Sequence, residues 1–261
     1  MDPAAIVGIV VAFVAIFGSM IMEGGSPASL MLPPAMFLIF VGTPAVSLAS
    51  GTLPGMMTGI KWMVYSLTAK KADLDAVVQP LVKMAERARR EGLLALEQEM
   101  ETVEDEFMRK GLQMAVDGTD PDDLYEILSA EVKAKKQSAA TGAKFFGDAG
   151  GYAPTLGIIG TVMGLVHVLA NLADPAKLGE LIAGAFVATL WGVMSANVLF
   201  LPLGKRIVAV GANEAARMEI IIEGVLAIQA GSNPRVVATK LKSKMPPAGP
   251  KAEAPKAKDA A

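Results

Sequence analysis

Two long runs without a charged residue, 149–173 and 181–204, constrain this chain more than any other feature. They hold 25 and 24 residues. At about 1.5 Å of rise per residue, a helix of either length exceeds the roughly 30 Å hydrocarbon core of a bilayer. A short polar turn with Asp174, Pro175, Lys177 and Glu180 joins them. Two such runs and a tight turn form a transmembrane helical hairpin. Small residues recur at four-residue spacing, Gly160 and Gly164 in the first run and Gly184, Ala188, Gly192 and Ala196 in the second. In lipid, that spacing lets helix backbones approach closely. The hairpin is built to pack against other membrane helices, not only to anchor a domain.

Composition agrees with a membrane protein and excludes several alternatives. Of 261 residues, 52% are hydrophobic, and the mean hydropathy is +0.45, which is rare for a soluble domain of this length. Without cysteine there are no disulfides or thiolate metal sites, and the single histidine, His167, leaves no His-based metal cluster. No GxxxxGK[ST], HExxH or GxSxG motif is present. An enzyme reading has nothing to stand on, no cofactor is expected, and nothing points to nucleic acid.

The chain opens with 20 uncharged residues, 3–22, long enough to span. This run is expected to stay on the protein. It has no basic leading region, and no clear small-residue cleavage site precedes Glu23. A second span is expected over about 30–50, bent where Pro33, Pro34, Gly42 and Pro44 interrupt it. Residues 61–146 are charged and helical in pattern. Leu74, Val77, Val78, Leu81, Met84, Ala85 and Ala88 follow helical spacing, and Gly92 is a stop. A second helix is expected from Leu93 to Gly118 with Met100, Val103, Phe107 and Met114 on one face. Asp120-Pro121-Asp122-Asp123 is a helix start. The helix it opens carries Leu124, Ile127, Leu128 and Val132, and meets no strong stop before Gly147. The hairpin spans are expected at about 152–172 and 181–203 within 147–204. A helical C-terminal segment follows over 205–244, and a Pro-, Ala- and Lys-rich disordered tail over 245–261.

Basic residues set the topology. Residues 61–144 carry 13 Lys and Arg, the part after Gly204 carries 10, and the two short turns carry only Lys177. Positive residues stay in the cytoplasm. The fold expected is therefore an all-α membrane protein. It has four spans, a helical cytoplasmic domain between spans two and three, and both termini cytoplasmic.

None of the four spans contains Asp, Glu, Lys or Arg. Ion carriers generally use an intramembrane ionisable group. Here the polar side chains are hydroxyls, amides and one imidazole, among them Thr155, Thr161, Thr189, Ser195, Asn197 and His167. Thr161 and Thr189 fall near mid-depth on adjacent helices. They could line a path but could not hold a proton, so if the chain conducts ions, another chain supplies the carboxylate. The plainer reading of such threonines is a bond to a carbonyl of their own or a neighbouring helix. His167, towards the outer end of its span, reads as an interfacial polar residue in preference to a relay. Pro154 and Pro202 are helix punctuation, or a pair of flex points joining membrane motion to the cytoplasmic domain. Arg87, Arg89 and Arg90, followed by Glu97, Glu99 and Glu101, are a solvated face or a bipolar contact surface.

APTLGIIGTVMGLVHVL, the acidic turn with DP, and AGAFVATLWGVMSANVLFLPL resemble the third and fourth spans of MotA-type flagellar stator subunits. RARREGLLALE resembles the charged cytoplasmic motif of that family, including its sodium-driven PomA branch. The resemblance covers nearly all of the chain except its last fifteen or so residues. It implies a homopentameric ring around the membrane helices of two MotB-like single-span chains. An aspartate on those helices takes up the transported H⁺ or Na⁺. It implies that Thr161 and Thr189 line the ion path, that Pro154 and Pro202 couple it to the cytoplasmic domain, and that Arg89, Arg90 and Glu97 contact the rotor protein FliG. Threonine at 161 resembles sodium-driven members. The rivals are an ExbB/TolQ-type energiser of a periplasmic partner, against which the extra span at 3–22 argues, and a non-conducting membrane scaffold.

Overall fold

The structure is a computed structural model that describes residues 3–69 and 74–245. Its regular structure among those residues is helical, with no strand. In chain order the main helices are α1 (Ala4–Met22), α2 (Pro33–Ala49), α3 (Leu53–Thr68), α4 (Leu74–Glu91), α5 (Glu106–Val116), α6 (Pro121–Ala170), α7 (Pro175–Gln229) and α8 (Pro234–Ser243). α1, α6 and α7 are long and apolar enough to cross a membrane, and α2 is a shorter apolar helix. The described residues group into two compact units, those within 1–71 and 133–215 and those within 72–132 and 216–261.

In the first unit, glycines dictate how α6 and α7 pack. A side chain on Gly164 would strike Ala185, one on Gly160 would strike Ala188, and one on Gly157 would meet Thr189 Cα at 2.9 Å. The same seam continues where Gly192 faces the Ala153 carbonyl, Gly204 faces the Ala143 carbonyl and Gly211 faces Ala139. Two antiparallel helices thus touch backbone to backbone over many turns, the arrangement that small residues permit in lipid. α2 lies against α7 through Ala35, Ile39, Val187, Ala188, Trp191 and Met194. The Trp191 indole donates to the Leu30 carbonyl at 2.7 Å and meets Phe40 edge-on.

Prolines explain the irregular turns. Pro44 has no N–H, and in a regular helix its ring would strike the carbonyl of Phe40. The chain answers with a wider π turn over Leu38–Gly42. Pro202 stands in the same relation to the π turn over Ser195–Phe200. Pro154 lies inside α6 without such a turn.

α7 corrects one expectation. It does not end at Gly204 but runs on to Gln229, so residues 205–229 continue the last span instead of starting a separate helix, and α8 follows a turn at 230–233. Lys205 and Arg206 are good helix formers and do not interrupt it. The stop is Gly231 at φ +64°, a conformation that favours glycine. α3 is a second correction. It starts at Leu53, before the charged region, because the Thr52 hydroxyl caps it by accepting from Gly55 N at 3.1 Å.

In the second unit α4 buries Val77, Val78, Leu81, Met84, Ala85 and Ala88, the face read from helical spacing. α8 packs on α4, and Gly224 of α7 approaches Leu81. Gly92 ends α4 at φ +86° and Gly118 follows α5 at φ +78°. The helix expected over 93–118 is broken. A 3₁₀ turn (Leu93–Leu96) and one α turn (Glu97–Met100) lead into α5. Asp105 makes the break, because its carboxylate accepts from Met108 N and starts a new helix. Met108, Leu112 and Ala115 take the buried face, while Phe107 and Met114 are half-buried. α6 starts as expected, with Asp120 Oδ1 accepting from Asp122 N at 2.9 Å, and continues unbroken to Ala170. The tail read over 245–261 lies, Met245 aside, outside the described residues.

Candidate functional site: a hydroxyl pair on the α6–α7 seam

Most polar side chains of the hairpin serve their own helix. Thr155 donates to the Tyr152 carbonyl, Ser195 to Gly192, and the Asn197 amide to Val193. These are the local bonds expected of such residues in a membrane helix. Thr161 and Thr189 differ, because they bond across the seam. Their hydroxyl oxygens are 2.5 Å apart. Thr161 Oγ1 also lies 3.0 Å from the Ala185 carbonyl of α7 and 3.2 Å from its own Gly157 carbonyl. Thr189 Oγ1 lies 3.1 Å from the Gly157 carbonyl of α6. Both residues are half-buried.

Glycine makes this possible. With no side chain at 157, Thr189 can reach the Gly157 carbonyl, which a Cβ there would prevent by meeting Thr189 Cα. The pair therefore belongs to the seam. Spacing alone placed the two threonines at similar depth. The carbonyls of Gly157 and Ala185 that complete the cluster were missed, although Gly157 sits one turn before Thr161.

The chemistry follows from a count of protons and lone pairs. Each hydroxyl has one proton and two lone pairs. One threonine can donate to the other, which then donates to a carbonyl, and reversing both donations gives the opposite chain. Each oxygen retains a lone pair for a third group. Such a pair can pass hydrogen bonds along or help replace the water around a cation. It cannot store a proton near neutral pH. Among the described residues no group of three or more His, Asp or Glu could hold a metal ion.

The remaining sequence candidates lie elsewhere. Pro202 follows a π turn and Pro154 sits within α6. Gly150, one turn before Pro154, packs on Leu201, the neighbour of Pro202, so the two prolines lie beside the same contact of the seam. His167 is exposed, and its carbonyl accepts from the Asn171 amide.

Arg89, Arg90 and Glu97 lie in the second unit, all exposed around the Gly92 turn. Arg90 pairs with Glu86 at 2.6 Å. Among the described residues Arg89 and Glu97 form no ion pair. Arg87 behaves differently from its neighbours. It reaches across the turn to Glu99 at 2.8 Å and along its own helix to Glu91 at 3.1 Å. Those hydrogen bonds, Glu99 first, hold its guanidinium pKa above the ordinary value. Arg87 and Glu99 thus help close the turn, and Arg89, Arg90 and Glu97 are among the charges it exposes.

The chain can now be set beside known proteins. Residues 99–220 match the MotA/TolQ/ExbB proton channel family. Motility protein A of Bacillus subtilis strain 168 is 37% identical over 247 residues, spanning 94% of this chain and 92% of that protein. The structure of C. jejuni MotAB superposes with a TM-score of 0.91 at 28% identity, covering 96% of this chain and 98% of that one. The flagellar MotAB stator complex from Bacillus subtilis gives 0.84 at 35% identity, covering 93% and 96%. By a full-length likeness that takes in the hairpin, its glycine seam and the charged turn, the chain belongs to the MotA/TolQ/ExbB proton channel family, among its flagellar stator subunits of the motility protein A type.

Proposed function

We propose that this stator subunit works with a MotB-like single-span partner to couple passage of H⁺ or Na⁺ across the bacterial inner membrane to torque on the rotor protein FliG. One observation carries the reading. The hairpin holds a hydroxyl pair bonded across its seam, yet the charge-free runs around it contain no carboxylate. This chain supplies a polar lining and the partner supplies the aspartate that takes up the ion. The full-length likeness to MotAB complexes supports such a partner.

In this reading the chain spans the membrane four times, through α1, α2 and the apolar parts of α6 and α7, with both termini and the charged regions in the cytoplasm. Five copies form a ring around two partner helices. Ion passage turns the ring. Pro154 and the π turn before Pro202 let the seam flex, and α6 and α7 carry the motion out of the membrane as unbroken helices. Arg89, Arg90 and Glu97 meet complementary charges on FliG. The energy suffices, since one charge moved through 100 mV is worth about 2.3 kcal/mol. Thr161 inclines the reading towards sodium, because Na⁺ must exchange water for protein oxygens. The ions are cargo, and no resident cofactor is needed.

The test is complementation. In cells lacking their own stator, expressing this chain together with its MotB-like partner is expected to restore swimming, and either chain alone is not. Swimming restored by this chain alone would overturn the division of labour.

A further inference from the structure

α3 has two different faces. One packs inside the first unit. Gly59 meets Gly142 and Phe145, and Trp62 joins Ala139 and Phe146 and donates from its indole to Ser138 at 3.0 Å. The other face carries Leu53, Met57, Ile60 and Val64, spaced by four, three and four residues and between 42% and 59% exposed. A stripe of four large apolar residues over about 16 Å of helix is more than scattered surface hydrophobicity. Only three residues, Ser50 to Thr52, separate α3 from the apolar helix α2. α3 therefore begins where the chain leaves the apolar layer.

Cations without acidic partners lie beside the stripe. α3 itself contains no Asp or Glu. Lys61 is exposed and, among the described residues, makes no ion pair. Tyr65 follows it by one helical turn, so the two share a face. The Lys135 ammonium sits 5.7 Å from the Tyr65 ring and 5.4 Å from that of Trp62. Those rings hold it through their π faces and do not neutralise it as a carboxylate would. Two unneutralised cations thus flank one aromatic beside an apolar stripe. That combination is complementary to the glycerol backbone and phosphodiester of an anionic lipid, whose chains cover the stripe while the phosphate meets the ammonium groups.

We propose that α3 lies on the inner leaflet and that Lys61 and Lys135 hold the phosphate of an anionic phospholipid such as phosphatidylglycerol. Being in the inner leaflet rests on the topology proposed above. The lipid pins α3 on the α6–α7 seam, where Gly142 and Gly211 approach Trp62.

The experiment uses the complete complex, purified in mild detergent, with labelled phosphatidylglycerol and phosphatidylcholine as probes. The parent is expected to bind phosphatidylglycerol more tightly than phosphatidylcholine. Each lysine near an anionic surface contributes about a 5-fold preference, so K61Q with K135Q is expected to lose roughly 25-fold in phosphatidylglycerol binding and nothing with phosphatidylcholine. K61R with K135R is expected to restore the preference, which separates charge from folding. Because the natural chain has no cysteine, a spin label on Met57→Cys reports its surroundings cleanly, and the account expects it in lipid. Equal binding of both lipids, an unchanged preference in the double glutamine variant, or a water-exposed label at 57 overturns the proposal. Topology is read separately with Lys205→Cys and a membrane-impermeant maleimide. Labelling from outside the cell would overturn the inner-leaflet assignment and the topology together, whereas labelling only in inverted vesicles leaves the lipid measurements to decide the site.

Discussion

Replacing Gly192 by alanine tests whether the seam is what holds the hydroxyl pair. The new Cβ would stand 2.5 Å from the Ala153 carbonyl oxygen and 3.1 Å from Gly157 Cα. The first distance falls about 0.9 Å short of the 3.4 Å at which ordinary contact begins. Both neighbours are backbone, so no side chain can swing aside. α6 and α7 must separate or shift. Overpacking of this kind costs about 1–3 kcal/mol. The separation also stretches the bonds from Thr161 to Ala185 and from Thr189 to Gly157, now 3.0 and 3.1 Å. Interhelical bonds in membrane proteins average about 0.6 kcal/mol each, so the total is roughly 2–4 kcal/mol. Spread over a chain of this size, that is roughly 5–15 °C in Tm. The assay is thermal unfolding of the purified complex, paired with swimming speed in a stator-null strain. Gly179→Ala is the control, since a Cβ there meets nothing within 4 Å. If Gly192→Ala leaves Tm and swimming within error of the parent while Gly179→Ala does the same, the reasoning from the seam is refuted.

Other outcomes follow from the same geometry. Thr189→Val keeps the shape but removes one hydroxyl, and leaves the Thr161 hydroxyl to its carbonyl partners. Ion-driven rotation is expected to fall at least 10-fold with a Tm change under about 2 kcal/mol in equivalent stability, and equal rotation would exclude a path role. Thr161→Ala is expected to slow rotation more in sodium than in sodium-free medium at constant proton-motive force, and undiminished rotation of the parent without sodium would show that Thr161 is no sodium signature. Reversing Arg90 and Glu97 together is expected to reduce torque while assembly, followed by membrane co-purification, persists, because a single exposed pair is worth only about 0–1 kcal/mol. In the second unit Glu223 is partly desolvated, which raises its pKa, but Lys240 at 2.6 Å and Lys244 at 2.5 Å outweigh burial and hold it below the ordinary value. Its contribution to stability is thus present above the unfolded carboxylate pKa of about 4.3 and lost as pH falls through the depressed folded value. Glu223→Gln is expected to lower Tm at neutral pH, with the gap closing in acid, and a gap independent of pH would contradict the pairing.

The sequence displayed the hairpin because charge is excluded from lipid, and runs as long as 149–173 and 181–204 have few other uses. It displayed the start of α6 because Asp-Pro-Asp-Asp fits a helix N-terminus chemically, and the buried face of α4 because its apolar residues keep one period. It hid what depends on partners distant in the chain. The break at Asp105 was masked by continuous helical periodicity on both sides. The run of α7 past Lys205 was masked because basic residues mark a membrane boundary without stopping a helix. The two π turns were legible only as prolines, since the sequence names the obstacle and not the backbone's response to it. At the candidate site, the threonines were visible as polar residues in apolar runs. That they bond to each other, while Thr155, Ser195 and Asn197 bond to their own helices, depends on the rotation of α6 against α7 that Gly157 and Gly192 permit.

The central claim is that this chain lines the ion path and a partner supplies the carboxylate. Its most direct test is ion flux into sealed vesicles reconstituted with this chain alone, with the chain and its MotB-like partner, and with a partner whose membrane aspartate is changed to asparagine. The account expects no specific flux from the chain alone, flux from the complete pair, and its loss with the asparagine partner. Flux from this chain alone at the rate of the complete complex would contradict it.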